Sequence, residues 1–285
     1  MNKPTHTISI SVVYHKKSPL LSSQLLSPII VGNHASFTDR HLHFDNTDEN
    51  MSHKNPHFCE LTAQYWVWKN LQGKSHIGFM HYRRVFDFEG QYRSKKNELK
   101  LQQDNLFSLA SYTETADALI PDILSKYDII IPESHRIATN VWAHYEERHI
   151  IDHLVLTQKI IEKRHSSYSK SFDACMQGNK LTPFNMFVFP AKLYSEYMTW
   201  LFDILFELEK HITVTELSPY QSRVFGFISE RLLGVFIHRQ QQLNPNLKIK
   251  KCKVLNINEA TIVNQKLPQK PNGFLSKILQ RIIRT

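Results

Sequence analysis

The chain has 285 residues, and its 35 Lys and Arg against 26 Asp and Glu give a formal charge of +9 before any of its 16 His is counted. A chain of this length buries roughly three quarters of its unfolded surface, and 41% hydrophobic with 21% charged residues excludes wholesale disorder. Cys59, Cys175 and Cys252 lie far apart with no C-x-x-C pair, which excludes a disulfide framework and a cysteine-rich zinc site and points to a reducing cytosol.

The stretch near the N-terminus is too short and too interrupted by Ser for a signal peptide, and no run approaches the roughly eighteen apolar residues of a spanning helix. The chain is expected to be soluble, or to sit on a membrane without crossing it. Its basic excess asks for an anionic partner: nucleic acid, a phosphorylated small molecule or the negative inner face of a bacterial membrane. Apart from Lys95-Lys96 and the KIKKCK run from Lys248 to Lys253, the bases are scattered among acids, which argues against a nucleic-acid-binding stripe. Neither G-x-G-x-x-G nor G-x-x-x-x-G-K-[ST] occurs, so any phosphate is held by side chains or helix ends.

In chain order, residues 7–14 (TISISVVY) read as a first strand. The aperiodic, Asn/Asp-rich text from Phe44 to Lys54 reads as a long functional loop. Asn55-Pro56 supplies an N-cap and a first-turn proline, and Phe58, Leu61, Thr62, Tyr65, Trp66 and Trp68 recur at helical spacing to about Asn70. His76 to Met80 is a buried strand that breaks into the polar cluster HYRR. Residues 89–118 are polar without a clear period. YDIII (127–131) and FNMFVF (184–189) read as strands, while 141–165, 191–210 and 221–239 read as helices. Strands alternating with helices predict an α/β domain with a mixed sheet over residues 1–263. A Pro/Asn/Gln linker (264–273) then leads into an amphipathic segment with Lys277, Arg281 and Arg284 opposite an apolar face. That segment is either a docked helix or an anchor on anionic lipid.

His81, Tyr82, Arg83 and Arg84 directly follow a buried strand, and in open α/β sheets ligands bind where strands end. Two adjacent guanidiniums there call for an anion, since Arg pairs phosphate in a strong, directional way; the plainer reading pairs one of them with Glu60 or Asp87. The ordered blocks YHKK, DNTDENMSHKN, CELTAQYWVWKN, IGFMHYRR, YDIIIP, FNMFVF, YMTWLFDIL and RVFGFISERLL then supply a closer reading. Together, from about Ile8 to Val263, they resemble a bacterial family catalogued as a domain of unknown function. Its members belong to capsular, exopolysaccharide and lipopolysaccharide gene sets and are taken to be glycosyltransferases, some of galactofuranose.

The resemblance implies a GT-A-like fold, a Rossmann-like mixed sheet flanked by helices, and transfer of a sugar from a nucleotide donor, UDP-linked by expectation, to a lipid-linked surface glycan. It also implies a peripheral place at the cytoplasmic face of the membrane. In GT-A enzymes a helix carrying an acid precedes a strand ending in Asp-x-Asp, whose carboxylates hold a divalent metal. Here Glu60 is the acid, and His81 and Arg83 stand where the carboxylates would be. Protein cations would thus offset the charge of the leaving diphosphate. Mn²⁺ or Mg²⁺ stays an alternative through Asp87 and Glu89, or Asp45 and Asp48. Donor contacts are expected from His15, Lys16, Asn50, Ser52, Lys54, Asn55, Tyr82 and Arg84. His149 and Asp152, three apart on an expected helix, would act as base and orienter toward the acceptor. Asn185, Arg223 and Glu230 would hold the acceptor. The rivals are a nucleic-acid-binding protein and a non-catalytic scaffold of a polysaccharide assembly complex.

Overall fold

The computed structural model describes residues 7–263 apart from 33, 38, 40, 41, 91–95, 102–106, 259 and 261. The expected linker and amphipathic tail therefore lie outside the described residues. In chain order the strands are β1 (Ile8–Tyr14), β2 (Leu26–Ile30), β3 (His43–Phe44), β4 (His76–His81), β5 (Arg84–Phe86), β6 (Glu98–Lys100), β7 (Phe107–Ser108), β8 (Ile129–Pro132), β9 (His135–Arg136), β10 (Lys180–Leu181), β11 (Phe187–Pro190), β12 (Ile249–Cys252), β13 (Val254–Asn256) and β14 (Ile262–Val263). The α-helices are α1 (Asn55–Phe58), α2 (Leu61–Asn70), α3 (Leu109–Leu124), α4 (Val141–Glu146), α5 (Ile151–Arg164), α6 (Ser169–Gln177), α7 (Ala191–Glu209) and α8 (Val224–Leu243).

The main sheet runs β12-β8-β11-β4-β1-β2-β3. Every pair is parallel except those made by β11, which runs antiparallel to both β4 and β8. All seven residues of β1 are buried, as a strand covered on both faces requires. One hydrophobic layer joins that sheet to α2, α5, α6, α7 and α8, and a second joins it to α3 on the other face. Gly78 lets the strands close up. A Cβ there would stand 2.8 Å from Val188 Cγ2 and 3.0 Å from both Ile10 Cγ1 and the Phe187 carbonyl.

The helix expected from Asn55 to Asn70 is interrupted: Cys59 adopts φ 52°, ψ −130°, ending α1 and restarting the chain as α2 at Leu61. The helix expected over 141–165 is likewise two helices, α4 and α5, with residues 147–150 between them. Within the stretch that showed no period, α3 begins at Leu109, its Ser108 hydroxyl capping the Ser111 N–H at 3.1 Å. The basic run KIKKCK, read from sequence only as charge, supplies β12.

HYRR is itself a hairpin. His81 ends β4, Arg84 begins β5, and the two are cross-strand partners with Tyr82 and Arg83 forming the turn. β5 continues antiparallel to β13, which pairs in parallel with β6, so that Arg84, Asn256 and Lys100 stand in one register across a three-stranded leaf. This leaf joins the main sheet through the β4–β5 pairing, at the edge where β1, β4 and β8 end and β11 begins.

Candidate active site

The edge is organised around Phe184 and Asn185, both left-handed at φ 74° and φ 50°. Such a conformation costs an ordinary residue about 1–2 kcal/mol, and here it turns three groups toward one place. The Phe184 N–H donates to Glu230 Oε1 at 3.2 Å, and its carbonyl accepts from His81 Nε2 at 2.7 Å. The Asn185 amide, 1% exposed, donates to Glu60 Oε1 at 2.7 Å and to Ser229 Oγ at 2.8 Å. Gln64 Nε2 holds the Asn185 carbonyl at 3.0 Å. Glu60 is half-buried and sits immediately after the strained Cys59, whose thiol is pushed up to about 11 by burial and so stays protonated.

A carbonyl only accepts, so His81 carries its proton on Nε2 and keeps Nδ1 as a lone-pair acceptor. Burial lowers its pKa, with Glu60 opposing, and it is neutral at neutral pH. The expectation that His81 supplies positive charge is corrected accordingly. The cause is desolvation, which a strand-end histidine in a crowded edge cannot escape. The two guanidiniums also diverge, because turn tip and strand start face different ways. Arg84 lies over the Phe184 ring at 4.7 Å and 3.7 Å from Glu98, whereas exposed Arg83 lies over the Tyr82 ring at 5.1 Å.

On the Arg83 side opens a cavity of about 410 Å³, lined by Lys16, Arg83, Lys100, Leu101, Asn256, Ile257 and Asn258. Among the described residues it contains three basic side chains and no carboxylate. Tyr82 lies beside two of these cations: it stacks on Tyr14 at 5.4 Å, meets His15 edge-on at 5.2 Å and has the Lys16 ammonium 6.0 Å away. The Ile257 N–H pins the Arg83 carbonyl at 2.8 Å. His15 is held neutral by burial and then by the charge of Arg83 and Lys16. Lys100, Asn256 and Asn258 were not anticipated. They arrive only through pairing of β5, β13 and β6, a long-range event that leaves no local sequence signal.

The remaining expected residues take other places. Ser52 donates to Asp45 Oδ1 at 2.7 Å, the same oxygen that meets His34 Nε2 at 2.6 Å, and the Asn50 side chain binds the Asp48 carbonyl and the Ser52 N–H. Lys54 pairs with Glu209 at 2.6 Å. Asn55 donates to the Cys59 carbonyl and Thr62 hydroxyl and packs on Gly32. These four therefore bind the loop and α1–α2 together. His149 and Asp152 are not a pair. His149 precedes α5, so helical i,i+3 geometry does not apply to it. Its ring packs on Phe227 at 4.1 Å, Tyr145 at 4.7 Å and Tyr220 at 5.8 Å, and burial, then Arg231, push it down to about 4. Exposed Asp152 acts electrostatically on His153 instead.

Arg223 donates Nε to Cys59 Sγ at 3.3 Å and lies over Phe227 at 5.5 Å. Near it Tyr220, 51% exposed, is one of the large hydrophobic side chains left open among the described residues. Burial raises the pKa of Glu230, with Arg231 opposing.

Asp87 is buried and caps the Gly90 N–H at 3.0 Å, Glu89 beside it is raised by burial and by Asp87, and Asp45 is committed to His34 and Ser52. Among the described residues no three His, Cys, Asp or Glu side chains are arranged to hold a metal ion.

The architecture is that of a GT-A-like α/β protein. The chain belongs to the family described as Domain of unknown function (DUF4422), whose model matches residues 9–242. Among solved structures it is similar to the apo structure of the bifunctional glycosyltransferase WbbM, with a TM-score of 0.81 and 28% identity. The match covers 93% of this chain and 48% of that one, so this chain spans about half the length of the protein it resembles. No curated protein sequence matches it.

Proposed function

We propose that this chain is a glycosyltransferase that moves a sugar from a nucleoside diphosphate donor, UDP-linked, to a hydroxyl of a lipid-linked glycan in capsule, exopolysaccharide or lipopolysaccharide biosynthesis. The observation that carries the reading is the cavity of Lys16, Arg83 and Lys100 at the C-terminal edge of the parallel strands, whose described lining holds no carboxylate. A diphosphate seated there meets fixed positive charge as the bond from the anomeric carbon to the phosphate oxygen breaks, and such preorganised charge lowers the barrier. Tyr82 offers its ring beside that charge.

The acceptor oxygen bonds to the anomeric carbon and releases its proton. Glu60 stands ready to take it, oriented by Asn185 and Cys59 as a general base must be. Arg84, Arg223 and Glu230 line the acceptor side, with Tyr220 as an exposed ring at its rim. The resemblance to WbbM, described as a glycosyltransferase, supports the class of reaction. Among the described residues no helix is long and apolar enough to cross a membrane. The basic segment 264–285 would instead hold the enzyme at an anionic inner membrane surface, near its lipid-linked acceptor.

Calorimetry with UDP tests the donor site. Arg83→Ala should weaken UDP binding by roughly ten- to a hundredfold, the loss of a charge-assisted phosphate contact of about 1.5–3 kcal/mol, while the thermal transition stays in place. Unchanged affinity in that variant refutes the diphosphate assignment. Sedimentation with phosphatidylglycerol vesicles, before and after deletion of residues 264–285, tests the membrane assignment separately.

A further inference from the structure

A second cavity, of about 300 Å³, has a composition opposite to the first: among the described residues it is lined by Asn140, Trp142, Gln158, Asp173, Met176 and Gln177, with no Lys, Arg or His. An anion would find no counter-charge there. What the cavity offers is amide and carboxylate groups around an indole. Gln158 Nε2 donates to Asp173 Oδ1 at 3.0 Å, which leaves its own carbonyl and the second Asp173 oxygen available. Asn140 accepts the Ala143 N–H at 2.8 Å with Oδ1, and its amide N–H groups have no partner among the described residues. Among the described residues, neither the Trp142 indole N–H nor the Gln177 amide has a hydrogen-bonding partner in the protein.

Both donors and acceptors are thus set around an aromatic face, which matches a neutral, polyhydroxylated ring: hydroxyls exchange hydrogen bonds with the amides while the apolar face of the ring covers the indole. The cavity also has a defined relation to the catalytic edge. His135 in β9 packs edge-on against Phe184 at 5.4 Å, and the chain from His135 to Asn140 spans at most about 18 Å. β9 pairs with β10, and the Val141 N–H is tied to the Gly178 carbonyl at 2.9 Å, so this connection is held in place.

We propose that the Trp142 cavity is a glycan-binding subsite, which holds an already polymerised, uncharged segment of the acceptor while its growing end lies at Glu60. The inference rests on the glycosyltransferase reading for the identity of the chain that passes between the two places. Binding at the subsite would retain a growing polymer between successive transfers by raising its local concentration at the catalytic edge.

The test is saturation-transfer NMR on the full chain, with lactose, maltotriose, N,N′-diacetylchitobiose and mannobiose as probes, and calorimetry with UDP in parallel. At least one probe should bind. Trp142→Ala and Gln177→Ala should each weaken it, the former by roughly tenfold or more, with UDP affinity unchanged. Gln177 is exposed, so its variant folds even if loss of the half-buried indole disturbs α4. Absence of binding by all four probes, or binding that both variants leave intact, overturns the proposal. Trp142-dependent sugar binding in a chain that fails to bind UDP would sink the donor assignment alone and leave this subsite standing.

Discussion

Replacing Asn185 by Ala separates what its side chain does from what its backbone does. Three costs can be read from the structure. The bond to Glu60 involves a charged acceptor, which puts its worth at about 1.5–3 kcal/mol, and the half-exposure of Glu60 favours the lower figure because water can substitute. The bond to Ser229 adds about 0.5–1 kcal/mol, since Ser229 keeps its own bond to the Gly226 carbonyl at 2.8 Å. Finally, Ala at φ 50° loses the tolerance of Asn for the left-handed region, about 1 kcal/mol. Asn185→Ala should therefore lose about 3–4 kcal/mol in urea unfolding analysed by linear extrapolation. Asn185→Gly forfeits the same bonds but adopts the backbone freely, and should lie about 0.5–1 kcal/mol above the Ala variant after its greater unfolded-state entropy is counted. Both should retain UDP binding, because neither touches Lys16, Arg83 or Lys100, while losing transfer because Glu60 is no longer oriented. An Ala variant within about 0.5 kcal/mol of wild type, or a Gly variant less stable than the Ala one, would refute the reasoning.

Gly78→Ala should cost about 1–3 kcal/mol, because the Phe187 carbonyl 3.0 Å from the new methyl is fixed in the ladder and cannot give way; a melting temperature equal to wild type would contradict the close approach of β4 and β11. His149 is held near 4 when folded against an ordinary value of 6.5, so the folded state resists its protonation. The stability this gives is present above pH 6.5 and is lost as pH falls toward 4, amounting to about 2 kcal/mol between pH 7 and pH 5. His149→Phe keeps the ring stack and should remove that part of the acid sensitivity, read from urea midpoints across the range; an unaltered pH profile would show that His149 is not its source. Lys100→Ala should weaken UDP binding by up to about tenfold, with the deficit shrinking as salt is added; equal affinities at low salt would remove Lys100 from the donor cavity.

Much of the frame is legible in the residues. The β-branched run to Tyr14, the first-turn Pro56, HIGFM and the long apolar stripes of α7 and α8 each report a local preference that the sheet and its helix layers then satisfy, whereas Asn55, expected as the N-cap, is the first helical residue and turns its amide to the Cys59 carbonyl while Lys54 takes the cap position. Breaks are harder to read, because they are imposed from outside. Nothing in CELTAQ signals that Cys59 turns through a conformation suited to glycine, and the Pro-free break at 147–150 places His149 among Tyr145, Tyr220 and Phe227, partners distant in sequence or on the preceding helix. HYRR announces itself as a cluster, yet its division into a neutral His81, an outward Arg83 and an Arg84 over Phe184 follows from the hairpin register, which depends on β13 some 170 positions away. Lys100 and Asn256 reach the cavity by the same leaf, and the aromatic rim at Tyr220 depends on how α8 docks.

The peptide unit of Phe184 serves two masters, since its N–H is taken by a carboxylate on α8 and its carbonyl by an imidazole on β4, while the next side chain steadies a second carboxylate at the start of α2. No rotation of that unit can adjust one of these partners without disturbing the others. Variation in what is transferred, or to what, is thereby pushed outward to the cation-lined leaf and the Tyr220 rim, where a side chain can be exchanged without unseating its neighbours. Relatives with different sugars should accordingly share the Phe184–Asn185 bend and diverge at those two borders.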